Sequence, residues 1–387
     1  MFKDTKNPTM NELIYWFMIE YSNLVDDMQK SNHAVQTNKP NPFHSGDNSI
    51  WTHTMLVCKM AEVYEVPKIN RICGLMHDLG KPKAREIVLK DGKERARFLG
   101  HEGFSFYLAI EPLKRLQELG VLTEREVQVC LEVIAMHGTL FDNLNSKGEM
   151  QKPEKVFSKF SNSKEGLELF KYFITQVKID SLGRFFISAD GRANSARGLE
   201  TEVFTEQQFL DFYKDKETED LSELPTLEVL VGVPGSGKST FLKEKNVDFA
   251  LISRDDTLMQ FAKDNSIEGN YSEVWFLLTD ENQKQIDKML ESKFTEAFKN
   301  KENIVVDMTN TTSKAKRKWF NKAKLNRKRE YRVINTVFAT PYNEVLRRLE
   351  KREKETGKVI PDFVLRNMIK GFMIPNRTSS DETKWVF

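Results

Sequence analysis

Between Leu227 and Thr240 the chain reads Leu-Glu-Val-Leu-Val-Gly-Val-Pro-Gly-Ser-Gly-Lys-Ser-Thr, and no other stretch restricts the fold as tightly. Gly232, Gly237, Lys238 and Ser239 satisfy G-x-x-x-x-G-K-S/T, the spacing of a phosphate-binding loop. Such a loop works between a short apolar strand and the opening of a helix. The glycines let consecutive backbone N–H groups curl round a phosphate, and the helix N-terminus adds partial positive charge. Gly235, Ser236, Gly237, Lys238, Ser239 and Thr240 are therefore expected to hold a nucleoside triphosphate. Lys238 would reach its β- and γ-phosphates, and Ser239 would place a hydroxyl on Mg²⁺. The expected ligand is ATP or GTP with Mg²⁺.

The loop lies well inside a chain of 387 residues, long enough for two or three domains at about 150 residues each. Net charge is only +2, so any basic surface must be local. Cys58, Cys73 and Cys130 are scattered, with no C-x-x-C pair, which argues for a reducing compartment and against a disulfide framework. The first residues show no secretory pattern, and no apolar run of about 18 residues follows, so a cytoplasmic protein without a membrane span is expected.

Read in order, Met10 to Lys30 has the pattern of an amphipathic helix. A Pro-, Gly- and Asn-rich loop at Lys39–Asn48 precedes a helix from Ser49 to Glu65, and Pro67 restarts a helix that ends near Gly80-Lys-Pro82. Glu86 to Leu99 alternates like a hairpin about Asp91-Gly92. Helical patterns then cover Glu102–Leu119, Thr123–His137, Lys164–Asp180 and Thr201–Lys214. A polar, acidic stretch from Lys214 to Thr226 marks a boundary, giving domains at 1–220 and 221–387. Beyond it, strands at Leu227–Val231, Ala250–Ile252, Asn303–Asp307 and Arg332–Ala339 alternate with helices. The expected fold is an α-helical N-terminal domain followed by an α/β domain with a parallel sheet covered by helices on both faces.

The six histidines are His33, His44, His53, His77, His101 and His137, all in the first half. Adjacent His77 and Asp78 fall near a helix end, His53 lies on the preceding helix, His101 starts a later one, His137 ends another, and Asp180 follows. Imidazole nitrogens mixed with carboxylate oxygens suit one or two divalent ions of the Mn, Fe, Co, Ni or Zn class better than Ca²⁺. Such an ion acidifies its water, giving a hydroxide that can attack phosphorus at neutral pH.

From Ser45 to Arg184 this pattern resembles the HD phosphohydrolase superfamily. Phe43-His-Ser-Gly-Asp-Asn-Ser-Ile-Trp-Thr-His-Thr, His77-Asp-Leu-Gly-Lys-Pro and Gly100-His-Glu resemble in particular the HD domain attached to bacterial tRNA nucleotidyltransferases. The resemblance implies that His53, His77, Asp78 and Asp180 hold a first metal, and that His101 and His137 hold a second or contact phosphate. Lys81 would neutralise a phosphate oxygen, or else be a solvated helix-end cation. His44 would stand behind the ligands, and His33, with no motif around it, is expected at the surface.

In the second half, Ser253-Arg-Asp-Asp256 ends a strand beside the phosphate loop. A carboxylate there can take a proton from an attacking hydroxyl, or Asp255 or Asp256 can cap the next helix. Arg348 and Arg352 share a helix face, as a lid over nucleotide phosphates requires. Together with Asp307-Met-Thr-Asn310 and Val359–Met368, these residues resemble the phage-type polynucleotide 5′-kinase from Leu227 to about Phe372. That resemblance implies Asp255 as general base for a 5′-OH, Lys238 and Ser239 on the nucleotide and Mg²⁺, and Arg348 and Arg352 on the phosphates. The family places an arginine three residues after the base, on the acceptor phosphate; this chain has Leu258, leaving Arg254 or Lys263 for that grip. The cation-dense run from Lys314 to Arg332, with Trp319 and Phe320 interleaved, is either a phosphate-backbone surface or a solvated helix whose aromatic residues face the core.

The combination resembles the HD-domain polynucleotide kinases, bifunctional RNA end-healing enzymes. It implies 5′-OH phosphorylation and removal of 2′,3′-cyclic, 2′- or 3′-phosphate from RNA or DNA strand ends, with a functional link to an RNA ligase. The alternative is an HD nucleotidase or phosphodiesterase fused to a nucleoside or metabolite kinase. A non-catalytic nucleotide sensor is a third class, against which the base, lid and metal ligands argue.

Overall fold

A computed structural model describes residues 2–35, 48–139, 156–161, 163–187, 193–195, 206–213, 220–245, 247–325, 328–377 and 380–387. His44 and most of the Pro- and Asn-rich loop around it lie outside the described residues. The chain divides into two compact units, Met1–Lys216 with Phe372–Ile374, and Glu217–Gly371 with Pro375–Phe387.

The first unit is helical, with helices Met10–Glu20, Ser22–Lys30, Ile50–Val63, Lys68–Met76, Lys81–Ala84, His101–Glu118, Glu124–Met136, Lys164–Leu182 and Glu206–Tyr213. Local chemistry sets several of these starts. Thr9 and Thr123 each form reciprocal capping boxes with Glu12 and Glu126, and Ser49 and Ser163 cap the helices that follow them. Met10 to Lys30 is two helices rather than the single one expected. Tyr21 leaves helical geometry at φ −128° and ψ 40°, and its ring packs on Trp16 and Phe17 at 5.5 and 5.4 Å. Ring packing of the half-buried Tyr21 thus outweighs a continuous hydrogen-bond ladder there.

Strands β1 (Glu86–Lys90) and β2 (Lys93–Arg97) form the hairpin, turning through Asp91 and Gly92 at φ 54° and 71°. A second small antiparallel pair is β3 (Phe185–Ile187) with β4 (Ala193–Ser195). The core of this unit is built from Leu13, Trp16, Phe17, Val57, Ile72, Phe104, Phe106, Val133, Phe173 and Val177. Cys58, Cys73 and Cys130 are all buried and unpaired.

The second unit carries β5 (Thr226–Val231), β6 (Ala250–Ser253), β7 (Ile304–Asp307), the short pair β8 (Lys324–Leu325) and β9 (Lys328–Arg329), β10 (Arg332–Phe338) and β11 (Glu382–Val386). Its sheet runs β11-β10-β5-β7-β6 with every pairing parallel. The chain leaves β5, crosses over β7 to β6, returns to β7, and then crosses over β5 to β10. The loop after β5 therefore sits where the winding reverses, the place in such sheets where ligands bind. β11 is an additional strand that the sequence reading does not include. It is a half-exposed edge strand of Glu-Thr-Lys-Trp-Val, in which Thr383, Trp385 and Val386 are strand-favouring residues, and it pairs in parallel with β10.

The basic run is resolved by Trp319. Its ring is buried, and its indole N–H donates to Asn310 Oδ1 at 3.1 Å, while Asn310 Nδ2 donates to the Leu230 carbonyl of β5 at 2.9 Å. Trp319 thus belongs to the core, while Phe320 is half-buried with Lys324 and Arg329 over its ring, and Lys318 and Lys322 pair with Glu291. Among the described residues, no helix is long and apolar enough to cross a membrane. Replacing Trp319 with Ala should destabilise the second unit by about 3–5 kcal/mol, the usual cost of emptying a large aromatic site. The check is a urea titration of the full chain, in which the unfolding midpoint followed in this unit should drop.

Candidate functional site

In the helical unit five imidazole and carboxylate groups converge on Asp78. Helix Lys68–Met76 ends just before His77, and His77 and Asp78 lie in the turn that follows. Gly80 lets the next element close on that turn. A Cβ there would stand 2.1 Å from the His101 carbonyl oxygen and 2.4 Å from Ser105 N, both backbone atoms. Gly80 N–H instead donates to Ser105 Oγ at 2.9 Å, which brings the start of helix His101–Glu118 against Asp78.

The donors fall into two groups, His53, His77 and Asp180, and Asp78, His101 and His137, each with its ligand atoms within 4.8 Å of one another. Asp78 stands between them. Its Oδ2 is 3.5 Å from His53 Nε2 and 3.2 Å from His77 Nε2, and its Oδ1 is 3.4 Å from His101 Nε2 and 3.7 Å from His137 Nε2. His53 Nε2 is also 3.1 Å from Asp180 Oδ1. Three rings are fixed from behind: Nδ1 of His77, His101 and His137 lies 2.9, 2.9 and 2.7 Å from the carbonyls of Gly74, Phe98 and Ile134. An Nδ1–H donated to each carbonyl leaves the Nε2 lone pair facing the centre, the tautomer a metal needs.

The residues fit a metal on a further ground. His77 Nε2 and both Asp78 oxygens are buried without a hydrogen-bond partner. Orphaned groups of this kind are costly in an interior unless something completes them. Donors about 2.1 Å from one ion, at tetrahedral or octahedral angles, stand roughly 3.0–3.4 Å apart, near the spacing seen here.

The electrostatics agree with that role. Burial alone would raise the carboxyl of Asp78, but His77 and Lys81 outweigh it and hold the group well below the usual range. Asp180 is likewise held low against burial, by Arg184, His53 and His77. Burial pushes His101 down to about 4, so its imidazole is neutral. For His137 the Asp78 carboxylate outweighs burial and moves it upward.

Lys81 is not a solvated helix-end cation. Its ammonium lies 2.6 Å from Asp78 Oδ2, off the direction of a hydrogen bond, and is nearly buried. His33, expected at the surface, is 3% exposed, its ring edge-on to His53 at 5.7 Å. The sequence offers no motif there; an isolated bridge between Asn32 and Ser49 brings it in.

The second unit holds a cleft of ≈ 680 Å³ at the C-terminal tips of β5, β6 and β7. Residues Pro234–Phe241 line it, so Gly235, Ser236, Gly237, Lys238, Ser239 and Thr240 share one wall. Gly235 and Gly237 take φ 82° and 100°, the left-handed geometry the curl requires. Thr340 Oγ1 donates to the Ser236 carbonyl at 2.8 Å, and Gly232 N–H to the Thr309 carbonyl at 3.0 Å, tying the loop to β10 and the segment after β7. Lys238 folds back on its own loop, 2.9 and 3.0 Å from the Gly232 and Val233 carbonyls. Desolvation drives its pKa down to about 8 against the pull of Asp307.

Asp255 and Arg254 line the same cleft, but Lys263 is not among its lining residues. Neither Asp255 nor Asp256 caps the helix. Ser253 does, accepting from Asp256 N–H at 3.2 Å, which leaves Asp255 in the first turn paired to Lys358. Leu258 is fully buried, packed with Phe261, Ala262, Val274 and Ile286. Helix Tyr342–Thr356 supplies Arg348 and Arg352 to the cleft. Arg348 is held by Glu344 at 2.6 Å and lies 3.5 Å from the Gly235 carbonyl. Arg352 Nε and Nη2 are buried without hydrogen-bond partners, and burial lowers the guanidinium's pKa. The sequence reading assigned no role to Asp307, which also lines the cleft. Burial raises its carboxyl against the pull of Lys238. Its position at a strand tip was the available signal.

Residues 227–375 match the AAA domain family, a span that starts at the second residue of β5, runs past β10 and stops short of β11. Among solved structures, the chain is similar to one in the Pnkp1/Rnl/Hen1 RNA repair complex, at 25% identity over 42% of this chain and 52% of that one, with a TM-score of 0.31. It is similar to another in the Pnkp1/Rnl/Hen1 complex at 25% identity over 34% and 42%, with a TM-score of 0.27. The chain thus spans about half the length of these solved proteins or less. With TM-scores this low, the second unit's standing as a P-loop kinase-like domain rests on the family match and the sheet order. No curated protein matches the chain.

Two outcomes are expected. Asp78→Asn should lower the Mn²⁺ or Zn²⁺ retained after dialysis, measured by inductively coupled plasma mass spectrometry, while Lys238→Met leaves it unchanged. Nucleotide affinity should be full well below pH 8, where Lys238 carries its proton. It should weaken by up to tenfold per pH unit above that, because a neutral amine gives the phosphates no charge. Titration of a fluorescent ATP analogue from pH 7 to 9.5 reads this slope, which Lys238→Met should abolish.

Proposed function

We propose that this chain is a bifunctional end-healing enzyme for nucleic acid. It is a 5′-OH polynucleotide kinase using ATP or GTP with Mg²⁺, and a metal-dependent phosphohydrolase acting on 2′,3′-cyclic, 2′- or 3′-phosphate ends. The observation that carries the reading is one chain holding two chemically separate phosphate centres. One is a P-loop cleft with a carboxylate on its wall, the other a buried His/Asp cluster with orphaned donors.

In the kinase cleft, Asp255 accepts the proton of the attacking 5′-hydroxyl as its oxygen bonds to the γ-phosphorus. The bond from that phosphorus to the bridging oxygen breaks, and the nucleoside diphosphate leaves. Lys238, Arg348 and Arg352 hold the charge that spreads over the phosphate oxygens, and Ser239 offers a hydroxyl to Mg²⁺. Lys358, paired to Asp255, keeps the base aimed. Asp307, on the same cleft wall, would be a further carboxylate available to Mg²⁺.

In the helical unit, His53, His77, Asp78 and Asp180, with His101 and His137, hold one or two divalent transition metals. A bound metal supplies Lewis acidity and an acidified water. The chain's own part is to aim the Nε2 atoms of His77, His101 and His137 at the centre through their Nδ1 contacts, to keep Asp78 ionised, and to bring the Lys81 ammonium beside the phosphate. RNA is the favoured substrate because a cyclic phosphate forms only beside a 2′-hydroxyl, and ends healed in this way suit an RNA ligase. The two units are taken as separate domains with their boundary near residue 220.

Burial of Leu258 favours one other reading, a kinase for nucleosides or small metabolites whose acceptor has no internucleotide phosphate to grip. The two readings part on the acceptor. The full chain should transfer label from the γ-phosphate of ATP to a 5′-OH oligoribonucleotide and remove a cyclic phosphate from a 3′ end. Lys238→Met should stop the first activity by at least a hundredfold and spare the second, and Asp78→Asn the reverse. Label moving only to free nucleosides, or either substitution removing both activities from a folded protein, would count against the proposal.

A further inference from the structure

Beside Asp255 the wall of the kinase cleft changes from charged to aromatic. Tyr271 and Trp275 lie four residues apart on helix Tyr271–Leu277, their rings within 20° of parallel and their centroids 6.2 Å apart. The Arg254 guanidinium stands over Trp275 at 5.8 Å, held by Asp287 at 3.0 Å and by Gln283. The Lys358 ammonium, paired to Asp255, stands over the Tyr271 ring at 3.5 Å.

Trp275 nevertheless remains 41% exposed while lining the cleft. An indole carries no charge for phosphate, and a tryptophan left at a site wall buries apolar area only when a ligand covers it. A flat, π-faced group fits such a surface, and every nucleobase has one. The phosphates of the donor are claimed elsewhere, by the P-loop and by Arg348 and Arg352, so the aromatic wall next to Asp255 lies on the acceptor side.

We infer that Tyr271 and Trp275, braced by Arg254, form a subsite that stacks the nucleobase of the phosphoryl acceptor. Recognition by the face of that base takes over the grip that Leu258 cannot provide. The inference rests on the kinase reading above and names what that site recognises. The shared chemistry is a nucleobase, whether it ends a strand or belongs to a free nucleoside.

The test uses the full chain with a non-hydrolysable ATP analogue and a 5′-OH oligoribonucleotide bearing 2-aminopurine at its 5′ end. Stacking should quench that fluorophore, and moving it several nucleotides inward should remove the quench. Trp275→Leu should abolish the quench and raise the acceptor KM about tenfold or more, with kcat and the ATP KM within twofold. Trp275→Phe should restore most of the loss. An oligonucleotide abasic at its 5′ end should bind weakly in both proteins and be indifferent to Trp275→Leu. A parallel arm with free nucleosides assigns the source of the base. An unchanged quench and KM in Trp275→Leu, an equal loss for intact and abasic acceptors, or a rise in the ATP KM instead would overturn the subsite. Quenching without phosphate transfer to any acceptor would keep the platform and refute the kinase reading.

Discussion

A carboxylate with no access to water is the constraint round which the helical unit is arranged. Asp78 is fully buried, and neither of its oxygens has a hydrogen-bond partner. An isolated ion in that position would neutralise itself. It stays charged because His77, Lys81 and His137 outweigh its burial, and the groups around it converge only through particular backbone events: the end of helix Lys68–Met76, the close approach at Gly80, and the start of helix His101–Glu118. Each ring is held through Nδ1 by the carbonyl three residues before it, for His77, His101 and His137 alike. That recurrence has one cause. A histidine at or just outside a helix end meets a carbonyl of the adjoining turn, which fixes the ring without any further partner.

The kinase cleft solves the same problem with opposite sign. Lys238 and Arg352 are cations pressed into a low-dielectric wall, and burial lowers both. Lys238 donates to two carbonyls of its own loop, and Arg352 Nε and Nη2 have no hydrogen-bond partner. A polyanionic ligand relieves both.

Where function is local in sequence, it could be read there. The glycine loop and the adjacent His77-Asp78 are contiguous, and the alternation of strands and helices after residue 226 gave the parallel sheet. What could not be read is what depends on contacts between distant segments. β11 becomes a strand because β10 offers it an open edge. Tyr21 breaks a helix because two neighbouring rings give it a better place. His33 is buried through a bridge between Asn32 and Ser49. Trp319 turns inward because Asn310, a non-glycine residue at φ 45°, aims its amide between β5 and the indole. Trp275 carries no motif, and only the fold places it beside Asp255.

The helix Arg254–Asp264 shows why a residue matched by spacing need not be matched in role. Successive residues turn by about 100°, and this helix buries Thr257, Leu258, Phe261 and Ala262 while exposing Asp255, Asp256, Met259 and Gln260. Position 258 is thus on the core stripe, and an arginine there would either carry its charge among Phe261, Val274 and Ile286 or rotate the helix and take Asp255 out of the cleft. The chain does neither. It keeps the stripe apolar, leaves Asp255 on the exposed side of the first turn, and carries a cation one residue before Asp255, at Arg254, where Asp287 and Gln283 hold the guanidinium against the face of Trp275. Hence the placement of Arg254 against Trp275 follows from a packing decision made on the far side of the helix.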